Sequence, residues 1–423
     1  MYGIDTKCIQ SGYTPGNGQP RTLPIYQSTT YQYDDADALG KLFDLEADGH
    51  MYTRISNPTV AAVEAKIADL EGGVGAMLTS SGQAATFLAV FNICSQGQNF
   101  VSMSNIYGGS INLFSVTMAR MGIEVRYADD HMTDEELDSL FDENTRLVFG
   151  ETVANPALTV LDLERFSALA HRHGVPLVVD NTFATPCLCR PLEHGADIVT
   201  HSTSKYMDGH ANVLGGCIVD GGTFDWEASG KYPELTQPDE SYHGVVYSRQ
   251  FGRAAFVTKA RCQLMRDFGC TPQPMAAYLL NLGLETMAVR MRKHSANAME
   301  VARFLQTQEK VLWVKYPLLE NNEYYNMAKK YLPDGAPGVV SFGVRGGREA
   351  AMKLMNSLKL AKIVVHVADA RTSVLHPAST THRQLTDQQL EAGGIGPEFI
   401  RFSVGIEDAA DIIADLKQAL EQI

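Results

Sequence analysis

Short apolar runs rich in valine and isoleucine alternate with stretches of helical period between residues 61 and 220. Leu177-Val178-Val179 and Ile198-Val199 carry no polar residue between their apolar ones. A strand of that kind has no wet face and needs cover on both sides. The intervening segments can supply it. Val60, Val63, Ile67 and Leu70 recur on one helical face, and Gly72-Gly73 ends that run. Further strands are expected at 99–103, 123–127, 146–150 and 213–219, with an acidic helix at 134–141. The alternation predicts an α/β fold whose central sheet is mostly parallel and flanked by helices. At 423 residues the chain exceeds the usual size of one core, so a smaller α+β C-terminal domain is expected as well. Its strands would be 339–344, 363–367 and 399–404, and its helices 349–358 and 411–423.

In an open α/β sheet, ligands sit beyond the carboxyl ends of the strands. Two such ends carry chemistry. Asp180 closes the run Leu177-Val178-Val179, and Lys205 follows Ser202-Thr203-Ser204 just after the next strand. A lysine held between buried strands is costly to keep charged, and its neutral amine can condense with an aldehyde. Hydroxyls at Ser202 and Ser204 suit a phosphate beside it. A carboxylate such as Asp180 can keep a pyridine nitrogen protonated, which makes pyridoxal phosphate an electron sink. Each feature alone has a plainer reading, as a solvated turn lysine or a strand-end cap. The pair is far more specific. Ser80-Ser81-Gly82-Gln83 opens an apolar helix, where the Gly82 and Gln83 amides face an anion. Arg401 lies inside an apolar strand, so it needs either a buried salt bridge or an anionic ligand.

Net charge bounds the partners. At −14 the chain is a poor match for nucleic acid or an anionic membrane, while a basic pocket for a small anion stays open. The seven cysteines have neither disulfide nor zinc spacing, and no metal is expected. Free thiols, no apolar run of spanning length and no leader-like start point to the cytoplasm.

Several motifs, in order, resemble the Cys/Met-metabolism (transsulfuration) family of fold type I pyridoxal-phosphate enzymes. They are Tyr52-Thr53-Arg54, Ser80-Ser81-Gly82-Gln83, Tyr107-Gly108-Gly109, Ala154-Asn155-Pro156, Val179-Asp180-Asn181-Thr182, the Lys205 motif, His376 to His382, and Arg401-Phe402-Ser403. The resemblance spans nearly the whole chain. It implies pyridoxal 5'-phosphate bound covalently to Lys205, with Asp180 on the ring nitrogen. It also implies Tyr107 stacked on the ring as a catalytic residue that moves protons near the leaving group, Asn155 near the ring hydroxyl, and Gly82, Gln83, Ser202 and Ser204 at the cofactor. Arg401 would take the carboxylate of an amino-acid substrate. Tyr52 and Arg54 would reach a neighbouring subunit's phosphate, so the implied assembly is a homotetramer, a dimer of dimers.

The implied layout is an arm over 1–60, a cofactor-binding domain over 61–258 and a C-terminal domain over 259–423. The polar, aromatic stretch 220–252 reads as an insertion without regular structure, typical of the O-acetylhomoserine sulfhydrylase branch. Gly109 stands where methionine γ-lyases carry cysteine. Val365-His366-Val367-Ala368-Asp369 departs from the Asn-Ile-Gly-Asp-like form of many sulfhydrylases. The activity implied is γ-replacement: acetate leaves O-acetylhomoserine and sulfide or a thiol adds. γ-Elimination of the methionine γ-lyase or cystathionine type is the alternative, and a non-catalytic cofactor-binding protein the remote one.

Overall fold

The larger sheet consists of β1 (Gly75–Thr79), β2 (Asn99–Met103), β3 (Glu124–Ala128), β4 (Thr145–Glu151), β5 (Leu177–Asp180), β6 (Ile198–His201) and β7 (Gly216–Asp220). In this computed structural model, which describes residues 2–380 and 395–423, their order is β1-β7-β6-β5-β4-β2-β3. Thr381 and His382 of the motif that begins at His376 lie outside the described residues. Strands β6, β5, β4, β2 and β3 pair in parallel, and β7 runs against both of its neighbours. Every residue of β2, β6 and β7 is buried, as strands covered on both faces must be.

Local chemistry fixes the covering helices. Asn57 Oδ1 accepts the Thr59 amide at 3.0 Å, Pro58 takes the first turn of the helix Pro58–Glu71, and Gly72 ends it in the left-handed region at φ 82°. The helix Gly82–Phe91 starts three residues after β1, and Ser81 Oγ caps it by accepting the Ala84 amide at 3.1 Å.

A second, smaller sheet holds β8 (Val311–Lys315), β9 (Val339–Val344), β10 (Lys362–Ile363), β11 (Ser373–Leu375) and β12 (Phe399–Ser403). Their order is β10-β11-β12-β9-β8. The long helix Met287–Gln306 packs on β8 and β9. From it the buried Arg290 reaches back to the turn after β6 and to the helix Pro274–Glu285, donating to Tyr206 O at 2.8 Å and Gly283 O at 2.6 Å. That clamp joins the segment after Lys205 to the body of the protein. No helix among the described residues is long and apolar enough to cross a membrane, and all seven cysteines are free thiols.

Three expectations differ from the structure. The strand expected over 363–367 stops at Ile363, because the chain then leaves the sheet and Val365 O accepts from Arg401 Nη2 at 3.0 Å. The acidic helix is only Asp134–Asp138, a capping box on Thr133 followed by turns. Residues 220–252 are not a structureless loop. They fold into short helices whose Trp226, Tyr232, Leu235 and Tyr247 are buried. Trp226 stacks on Phe256 at 5.7 Å, and Tyr232 donates to Arg146 O at 2.6 Å. Burial of large aromatic surface offsets the absence of a regular period.

Candidate active site

The carboxyl ends of β1, β4, β5 and β6 meet along one edge of the large sheet, facing β12 of the small one. The residues beyond them line a cavity of about 450 Å³. It brings together Lys205, Asp180, Arg401, Tyr107, Asn155 and Ser202, along with Gly82, Gln83 and Ser204.

Lys205 hangs from the turn after β6, half-buried at the cavity. Burial, then the nearby Arg401 charge, brings its amine down from the usual 10.5 to about 8, with Asp369 pulling the other way. A useful fraction of the amine is therefore neutral near neutral pH. Arg401 is 8% exposed, and burial lowers its pKa to about 10. Its Nη2 donates to Val365 O at 3.0 Å and its Nη1 reaches Asn155 Oδ1 at 3.4 Å. Among the described residues no carboxylate pairs with it, so none of them supplies the buried salt bridge. A guanidinium buried without an acid calls for an anion from outside.

Asp180 ends β5 beside Glu151 of β4 and Thr200 of β6. Burial raises its pKa, while the side chain and amide of Thr182 and the charge of His201 oppose that rise. The Thr182 amide donates to Asp180 Oδ1 at 2.9 Å. Glu151 was not anticipated. It is buried, and burial together with the Asp180 charge raises its pKa strongly. Burial thus raises both carboxyls of this pair, and the Asp180 charge pushes Glu151 up further. Glu151 also accepts the Tyr107 amide at 2.8 Å and the Asn155 amide at 3.3 Å, which fixes both loops. The signal was available: Glu151 closes its strand just as Asp180 closes β5.

A second unanticipated group lies beneath Asp180. His201 Nε2 and Glu71 Oε1 are 2.6 Å apart and fully buried, and Asn181 Nδ2 donates to the same Glu71 oxygen at 2.9 Å. This network ties the end of β5 to β6 and to the helix Pro58–Glu71.

The opposite wall suits an anion. The Gly82 and Gln83 amides open their helix with no acceptor inside it. A Cβ on residue 82 would stand 2.6 Å from Ser202 Cβ, so glycine alone admits this approach. Ser202 Oγ has no hydrogen-bond partner among the described residues. Ser204 lines the cavity too, but its hydroxyl exchanges bonds with Gly215, at 2.9 Å from the Gly215 amide and 3.2 Å to its carbonyl. The Gln83 side chain donates to Gly109 O at 2.9 Å. A Cβ at Gly109 would run into the Tyr107 ring, so this ring placement excludes cysteine there.

Tyr52 and Arg54 do not join the cavity of their own chain. Tyr52 is 44% exposed, the Arg54 guanidinium lies 5.5 Å over its ring, and Arg54 Nη1 donates to Arg266 O.

The description "Cys/Met metabolism PLP-dependent enzyme" matches residues 5–421. The chain belongs to this family. Homocysteine synthase of Schizosaccharomyces pombe is 45% identical, over 99% of this chain and 98% of its own length. O-acetyl-L-homoserine sulfhydrylase of Leptospira meyeri is 43% identical over 99% of this chain and 97% of its own. A Campylobacter jejuni structure assigned as an O-acetylhomoserine (thiol)-lyase superposes with a TM-score of 0.96 at 36% identity. It covers 99% of this chain and 100% of its own, and it carries a pyridoxyl-lysine monophosphate.

The cavity fits pyridoxal phosphate on its own donor set. It offers a glycine-walled helix N-terminus and a free hydroxyl for the phosphate, a half-buried carboxylate for the ring nitrogen, and an amine of lowered pKa. Gly82→Ala is expected to weaken cofactor binding by tenfold or more, because the new methyl must displace Ser202. Titrating the cofactor-free variant with pyridoxal phosphate by fluorescence checks this; unchanged affinity places the phosphate elsewhere.

Proposed function

We propose that this enzyme replaces the acetate of O-acetyl-L-homoserine with sulfide, or a small thiol, to give L-homocysteine or its thioether. The observation that carries this reading is a buried Arg401 with no acid partner among the described residues, facing Lys205 and Asp180 across one cavity. A zwitterionic amino acid supplies the missing carboxylate, and its amine meets the lysine end.

Pyridoxal phosphate would be held by the Gly82 and Gln83 amides and the Ser202 hydroxyl, with Ser204 completing that wall. Lys205 would be its covalent anchor. When bound, it supplies an electron sink for carbanion character at the substrate's Cα and Cβ. Asp180 keeps the ring nitrogen protonated. Tyr107 covers the ring face, and Asn155, fixed through Glu151, stands at the ring hydroxyl. Arg401 takes the substrate carboxylate through its planar fork. Its tie to Asn155 sets the substrate side of the cavity against the cofactor side. Lys205 would move protons at the substrate's Cα and Cβ, so that acetate departs from Cγ and the thiolate adds there.

The assembly we assign is a homotetramer built as a dimer of dimers in the cytoplasm. The 1–60 arm would extend Tyr52 and Arg54 to a neighbour's phosphate. Supporting this, both side chains are exposed on their own chain, and among the described residues Lys205 and Arg401 are the lysine and arginine side chains lining the cavity. Residues 61–258 would form the cofactor-binding domain and 259–423 the C-terminal one.

With O-acetyl-L-homoserine and sulfide, the purified enzyme is expected to release homocysteine and acetate in equal amounts, read by chromatography. Far faster release of methanethiol and ammonia from methionine contradicts the replacement reading.

The shared site has its own test. Arg54→Ala and Lys205→Ala chains should each be nearly inactive alone. In a mixed dimer one site carries both defects and the other neither, so up to half the normal activity should return. Mixed oligomers that stay inactive show that Arg54 does not act across the interface.

A further inference from the structure

Lys205 has a close basic neighbour. His366 Nδ1 stands 3.3 Å from Lys205 Nζ. The segment that carries it is held from both sides. Arg401 Nη2 donates to Val365 O at 3.0 Å, the Ala368 amide donates to Ser403 Oγ at 2.9 Å, and the Ala370 amide donates to Gly209 O at 2.9 Å. Packing therefore fixes the ring against the amine. The other ring nitrogen, Nε2, is buried with no hydrogen-bond partner among the described residues. The Asp369 carboxylate is 3.9 Å from it. A buried polar atom left unpaired is expensive and needs a reason.

Four charged groups face the ring: Lys205 and Asp208 from the turn after β6, Arg401 from β12, and Asp369 from its own segment. Burial does most to hold the ring's proton affinity down, followed by Lys205; Asp369 and Asp208 oppose this, and Arg401 adds to it. At 3.3 Å the two nitrogens are close enough to pass one proton between them, and burial and the Lys205 charge both disfavour a second on the ring.

We propose that His366 is the proton store for Lys205. The Nζ–H bond breaks as an Nδ1–H bond forms, leaving a neutral amine on Lys205 and an imidazolium that Asp369 steadies through Nε2–H. No electrons change hands and no further reactant is needed. The inference rests on Lys205 as the cofactor's anchor. Its consequence is that a neutral amine stays available in acid, where direct loss of the proton to water has become rare. The orphaned Nε2 then has a use, since it pairs with Asp369 once the ring is charged.

The test follows attachment of pyridoxal phosphate to the cofactor-free full chain. Samples are quenched with borohydride at timed intervals, and the pyridoxylated Lys205 peptide is counted by mass spectrometry. His366→Asn keeps a hydrogen-bond acceptor but cannot carry a proton. The ratio of wild-type to His366→Asn rates should rise from near one at about pH 7.5 to about tenfold at about pH 5.5. Asp369→Asn keeps the ring and removes its carboxylate, so in acid it should also fall below wild type. It serves alone if His366→Asn does not fold. Identical pH profiles for wild type and the variants overturn the proposal. Pyridoxylation of another lysine instead overturns the anchor assignment beneath it.

Discussion

Two basic side chains, the half-buried Lys205 and the buried Arg401, share one cavity without a carboxylate among the described residues in contact with either. Each charge costs solvation energy, and the two repel. The molecule meets this constraint in two different ways. The lysine yields, its pKa drawn down to about 8, so that part of the amine is neutral and nucleophilic. The arginine stays cationic and stores a demand for an anion. Both responses serve an enzyme that must bind an amino acid by its carboxylate and handle its amine chemically.

The surrounding structure keeps that imbalance from relaxing. Arg290 holds the backbone carbonyls just after Lys205, so the turn cannot swing the amine into solvent. The Glu71–His201–Asn181 network pins the strand ends beneath Asp180. Glu151, its proton affinity raised by burial and by the Asp180 charge, at the same time positions Tyr107 and Asn155. Buried polar networks of this sort are stable only when nearly every member is satisfied. Here the unsatisfied atoms include His366 Nε2, in the cavity, and His201 Nδ1, beneath it.

Much of this was legible in the sequence, for definite reasons. The parallel sheet could be read because strands covered on both faces lose their polar alternation, as Leu177-Val178-Val179 does. Lys205, Asp180, Gly82 and Arg401 could be read because each is an unusual residue at a strand end, a helix start or within a strand. What escaped depended on tertiary contact. Glu151 feels the charge of a residue on another strand. His201 looks like one more polar residue of the lysine motif until Glu71 is seen against it. The 363–367 run is apolar enough for a strand, yet Arg401 draws Val365 O away from the sheet. The 220–252 stretch has no period because its aromatics pack as a cluster, and clusters leave no repeat in a sequence.

The account depends most on the state of the Lys205 amine. Competitive acetylation of the cofactor-free chain, with the Lys205 peptide quantified by mass spectrometry against pH, measures that state directly. Only the neutral amine reacts, so labelling rises as the proton is lost. Half-maximal labelling at about pH 8 is the predicted result; a midpoint near the ordinary 10.5 would contradict the account.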